Sequence, residues 1–213
     1  PENNKPMKRD DVDPRADYQG GDLVGITEII KSGYFNKMGF TTIWMTPLNQ
    51  NPYEPYGEQL SPVRTKFSGY HGYWPISSTK VDFRIGTEDE LKELTKTAHE
   101  HGLNVILDYV ANHVHQEHPM FKNDPTICTP LILPDGSKNI AQWNEHRLTT
   151  WFDEFIPTLD YGRTEIVETM TDSALYWIEH FGLDGFRHDA CKHVPETFWR
   201  TLTKKIKQRV EIP

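Results

Sequence analysis

Cysteine is nearly missing: Cys128 and Cys191 are the only two in 213 residues. Two isolated thiols build neither a disulfide framework nor a zinc site, so they leave the redox compartment open. Long apolar runs are missing as well. No stretch reaches the roughly 20 residues of a membrane span, and the polar start PENNKPMKRDD has no signal-peptide core. No membrane partner is expected, and the chain reads as a soluble protein, either cytosolic or already relieved of a leader. Basic stripes are absent too. The net charge of -8 comes from interspersed acids, which argues against nucleic acid as a partner. Neither G-x-G-x-x-G nor G-x-x-x-x-G-K-[ST] follows an apolar run, so a nucleotide-binding open sheet has no support and no organic cofactor is expected.

What is present suffices for one sizeable core, with 36% hydrophobic and 12% aromatic residues. Three segments repeat one plan, a helix with a periodic apolar face, a glycine stop and a short β-rich run. The first spaces Leu23, Ile26, Ile30, Tyr34 and Met38, stops at Gly39 and enters FTTIWMTPL. The second opens on the capping box Thr87/Glu90, spaces Leu91, Leu94 and Ala98, stops at Gly102 and enters NVILDYV. The third runs through Val167, Met170, Ala174, Trp177 and Phe181 to Gly182 and then GFRHDACKH. Strands apolar on both faces that alternate with helices predict α/β architecture with a parallel sheet. Without a nucleotide motif, a barrel is favoured over an open sheet. The Pro/Asn/Asp-rich interval 114–150 predicts a functional insertion between a strand and its helix.

Polar groups gather where those strands end. Arg187 and Asp189 share one side of their strand and His188 takes the other, which pairs the carboxylate with a permanent positive charge. Alone, that pattern favours a site over an ordinary buried ion pair, since perturbed charge pairs gather at functional sites. The preceding strand also ends in Asp108, Asn112 and His113, and apolar strands with polar C-terminal ends are what a barrel active site requires. A charged aspartate there suits a substrate that develops positive charge, as in glycoside cleavage. Tyr70, Tyr73 and Trp74 in FSGYHGYW could stack on sugar C–H faces or pack the barrel mouth. His188 reads as a hydrogen-bonded core histidine. His113, His115 and His118 miss the H-E-x-x-H zinc arrangement, and Trp177 and Trp199 read as core.

IWMTPL, GYHGYW, DYVANH and GFRHDACKH, in this order, resemble successive motifs of the alpha-amylase family, glycoside hydrolase family 13. The resemblance implies a partial TIM (β/α)8 barrel, about strands two to four, divided as 1–113, a domain B-like insertion 114–150, and 151–213. It implies a retaining hydrolase of α-1,4-glucans, with Asp189 as nucleophile and Arg187 as its charge partner. His71, Tyr73, Trp74 and His113 would contact the sugar, Asp108 would orient the arginine, and Lys192 and His193 would bind the next sugar. It further implies a possible structural calcium on Asn112 and the His193 carbonyl. Thr158 stands where amylases often place a ligand aspartate, and Asp160 lies two residues on. Cyclomaltodextrinase, neopullulanase, oligo-1,6-glucosidase and trehalose-forming relatives share the motifs, as do non-catalytic glycan- or subunit-binding relatives. The family's general acid is a glutamate after a later strand, so the 213 residues alone are expected to be inactive, the other barrel half coming from the rest of a parent chain. A secreted or periplasmic location is favoured over a cytoplasmic one.

Overall fold

The computed structural model describes residues 9–59 and 65–210; the outer ends of the first and third expected segments lie outside them. Each helix follows from a local signal. Asp22 caps α1 (Leu23–Lys31), its carboxylate accepting from the Gly25 N–H. Both halves of the Thr87/Glu90 capping box form at the start of α3 (Glu88–Glu100), which satisfies N–H groups that have no partner inside the helix. Gly182, at φ 66°, ends α5 (Thr164–Phe181) in the left-handed conformation that suits glycine. A last helix, α6 (Glu196–Arg209), packs on α5.

One expectation about the first segment is corrected. The periodic run from Leu23 to Met38 is not one helix: Gly33, at φ 70°, breaks it, and α2 (Tyr34–Lys37) starts anew. Tyr34 and Met38 therefore stand exposed instead of extending the buried stripe of Leu23 and Ile30. In the strand that follows, β1 (Thr42–Met45), Met45 is buried, whereas Trp44, on the face shared with Asp108, is 58% exposed in this arc of the sheet.

Three parallel strands form the central sheet in the order β1, β4 (Asn104–Tyr109), β5 (Gly185–His188). Register pairs Trp44 with Ile106 and Asp108 with Arg187, so these four side chains share one face. Met45, Val105 and Leu107 point the other way into the core, among Leu91, Leu94, Ala98, Ala174 and Trp177. Trp177 is fully buried, which stabilises the fold by on the order of 3 kcal/mol. Its indole N–H donates to the Ser78 carbonyl at 2.8 Å, so no polar group is stranded. A small antiparallel pair, β2 (Tyr56–Gln59) and β3 (Thr65–Phe67), lies apart.

Between β4 and α5 the chain is mostly irregular, with the short α4 (Pro119–Asn123). Isolated bridges such as His113 with Thr158, Cys128 with Leu159 and Ile140 with Trp151 tie it together. Those ties continue past residue 150, and regular helix resumes only at Thr164. Among the described residues no helix is long and apolar enough to cross a membrane.

Candidate active site

The parallel register does the first part of the work. It places Asp108 beside Arg187, and the extended backbone then puts Asp189 on the same side two residues on. The Asp189 N–H donates to the Tyr109 carbonyl at 3.0 Å, which prolongs the ladder by one bond. Immediately afterwards Ala190 takes φ 47°, a strained conformation for a residue with a Cβ and one that concentrates at functional sites.

One nitrogen links the carboxylates. Arg187 Nη1 lies 2.9 and 3.0 Å from the two Asp108 oxygens and 3.0 Å from Asp189 Oδ1. Asp108 is completely buried, and a buried charge is tolerable only when paired and hydrogen-bonded. It is both, because the Tyr73 hydroxyl also donates to Asp108 Oδ2 at 2.7 Å. The side chain of Asp189 keeps 21% exposure. Asp108 is thus locked in the structure while Asp189 is offered to a ligand. Burial and then the Asp108 bond push the Tyr73 hydroxyl well up, so it stays a donor. The Arg187 guanidinium is raised, first by its bond to Asp108.

The histidines are fixed by what their ring nitrogens face. His71 Nδ1 accepts from the Tyr73 N–H at 3.0 Å; burial and then His113 lower it to about 4. It is therefore neutral, and its proton sits on Nε2, ready to donate. His71 and Tyr73 stack at 5.8 Å and 22°. The intervening Gly72 has no alternative: a Cβ there would lie 2.4 Å from the Pro47 carbonyl oxygen.

Three expected sugar contacts differ from expectation. Trp74 is 5% exposed and packs on Phe67, His71 and Phe155, so it supports the loop and presents no open face. His113 is 2% exposed, and its Nε2 donates to the Tyr73 carbonyl at 2.9 Å, a bond that occupies the donor a sugar would need. His193, also buried, donates from Nδ1 to the Arg147 carbonyl at 2.7 Å, while Arg147 reaches back to the Lys192 carbonyl. Lys192 itself is exposed. The insertion is thereby fastened to the turn that follows Asp189. Sequence reasoning missed Arg147, Phe152 and Trp143, whose rings or backbone meet His193 and His113; aromatics inside the irregular interval were the available signal.

His188 is corrected in detail. It faces Trp199 at 4.6 Å on the helix side of the sheet, as expected of a core histidine, but its Nδ1 is buried without a partner. Asn112 is 1% exposed, with Nδ2 3.4 Å from His113 Nδ1 and 3.5 Å from Thr158 Oγ1, and with Oδ1 buried and unpartnered. Thr158 donates to the Thr150 carbonyl at 2.7 Å. Among the described residues no group of three His, Cys, Asp or Glu side chains could hold a metal ion.

Against known proteins, the family model for the alpha-amylase catalytic domain matches residues 4–129. An alpha-amylase of Streptomyces lividans is 30% identical over 85% of this chain and 25% of its own length. A cyclomaltodextrin glucanotransferase of Klebsiella oxytoca is 30% identical over 97% of this chain and 32% of its own. The crystal structure of the alpha-amylase from Geobacillus thermoleovorans, complexed with acarbose, superposes with TM-score 0.74 and 35% identity, covering 96% of this chain and 41% of that one. The chain thus spans a quarter to about two-fifths of the length of these relatives.

Proposed function

Because this chain belongs to the alpha-amylase catalytic-domain family, as an arc of its (β/α)8 barrel, we propose that it carries the nucleophile half of a retaining site for α-1,4-linked glucans. The observation that carries the reading is the single Arg187 nitrogen bridging buried Asp108 and accessible Asp189. Asp189 attacks the anomeric carbon and forms a carbon–oxygen bond as the glycosidic bond breaks; the leaving oxygen takes a proton from a general acid elsewhere in the protein. Water later displaces Asp189 from the same face on which the leaving group departed, restoring the anomeric configuration. In the oxocarbenium-like state the aspartate stabilises positive charge, and His71 Nε2 donates to a sugar hydroxyl. Tyr73, its hydroxyl committed to Asp108, has its ring left for the sugar.

The runner-up is an enzyme of the cyclomaltodextrinase or neopullulanase type, and names among the relatives favour that neighbourhood of ring- and pullulan-acting enzymes: one is a cyclomaltodextrin glucanotransferase, and another is the type III pullulan hydrolase of Thermococcus kodakarensis, at 29% identity and TM-score 0.68. Products from soluble starch, pullulan and cyclodextrins, made by the complete protein, decide between them. Starch is expected to be cut fastest. Preferred ring opening or ring formation would favour the runner-up, and glycan binding without turnover would overturn the hydrolase reading.

The groups around Asn112 do not fit calcium. Asn112 Oδ1 could serve as one ligand, but Thr158 supplies a neutral hydroxyl already donated to Thr150, the Asp160 carboxylate accepts from the Gly162 N–H, and among the described residues no three acidic, His or Cys side chains gather where a metal ion could bind. The melting temperature is expected to be the same in EDTA as in millimolar calcium. A marked drop on chelation would show that a site forms after all.

A further inference from the structure

Three carboxylate contacts converge on Arg187 Nη1, and Nε and Nη2 take part in none of them. A guanidinium held at one nitrogen can still swing about that point, which would vary its distance to Asp189. Something else must fix its plane. The face of Trp44 lies 5.4 Å below the guanidinium carbon, within the range of a cation–π contact. Register explains how it gets there. Trp44 sits opposite Ile106, two residues before Asp108 on the same face, so the indole forms the layer beneath the Asp108–Arg187 pair. Trp44 shares the face of the sheet that carries Asp108 and Arg187, while Met45 beside it points the other way and is 4% exposed.

We propose that Trp44 is a positioning residue for the nucleophile: its ring face fixes the Arg187 guanidinium so that one nitrogen spans Asp108 and Asp189. The inference rests on the glycosidase reading for its kinetic consequence, but the contact itself does not.

The test replaces Trp44 by a series of tryptophans carrying one to four fluorines, in the complete protein that bears this segment. Fluorine drains negative charge from the ring face at nearly constant volume, so folding is preserved. With starch oligosaccharides, kcat is expected to fall stepwise to about one-fifth to one-tenth across the series, with KM little changed. The Arg187 guanidinium 15N resonances are expected to broaden in step. Trp44→Phe should retain most of the rate and Trp44→Leu should not. A flat kcat across the fluorine series, or a Trp44→Leu protein as fast as Trp44→Phe, would overturn the proposal. Asp189→Asn serves as the separate control. Full turnover by that variant would sink the glycosidase reading, and the Arg187 resonances would then still decide whether Trp44 holds the guanidinium.

Discussion

Asp189→Asn is expected to lower turnover of α-glucans by on the order of 10⁴-fold or more, the scale seen when a covalent nucleophile is removed, while leaving thermal stability nearly intact. The amide keeps the shape and can still accept from Arg187, but it cannot form the glycosyl intermediate. Arg187→Leu makes the informative contrast. It too should be inactive, yet it strands Asp108, whose side chain is 1% exposed, with only the Tyr73 hydroxyl as partner. An uncompensated buried charge costs roughly 3 to 5 kcal/mol, so this variant should melt well below the parent. Rates and melting curves of the two variants, measured side by side, separate the roles. Equal stability would mean that Asp108 does not depend on the arginine. Turnover by Asp189→Asn above about one-hundredth of the parent rate would remove the nucleophile assignment, because a positioning role alone accounts for losses of that smaller size.

Acid is the second lever. Burial lowers His71, His115, His118 and His188 each to about 4, whereas an unfolded chain binds those protons near pH 6.5. Between these limits the unfolded state holds more protons than the native one, so stability falls as the pH falls. Above 6.5 the contribution is complete; by pH 4 the loss is on the order of 3 kcal/mol per histidine. Four such groups together lose about 12 kcal/mol, comparable to the roughly 5 to 15 kcal/mol of a typical domain, so the protein should be strongly destabilised as pH 4 is approached. Urea midpoints measured from pH 8 to 4.5 should be level at first and then drop steeply, and His118→Gln should make the drop shallower. A midpoint independent of pH from 6.5 to 4.5 would rule this account out.

Much of this was legible in the residues themselves. The capping box at Thr87 and Glu90 and the glycine stop at Gly182 are local chemistry, so they formed as read. The shared side of Arg187 and Asp189 needed only the two-residue period of a strand. Other features depend on what distant residues do. Periodicity ran straight through Gly33 because apolar spacing cannot register one left-handed residue. Trp74 looked available for sugar because a loop aromatic has no strand face to fill, but Phe67 and Phe155 fold over it. The Nε2 proton of His113 is spent on a carbonyl 40 residues away in sequence, and the meeting of Trp44 with Arg187 requires two strand registers at once.

The Asp108–Arg187 pair joins residues 79 positions apart. On a ribosome adding about 5 to 20 residues per second, the aspartate waits roughly 4 to 16 s after it is made before its arginine exists. Until then it cannot leave water without a severe cost, so β4 cannot settle fully against the nascent helices. The strand ends that do the chemistry are therefore among the last parts of this segment to be completed during synthesis, and anything that stalls translation within the insertion prolongs the time β4 spends as an exposed apolar edge.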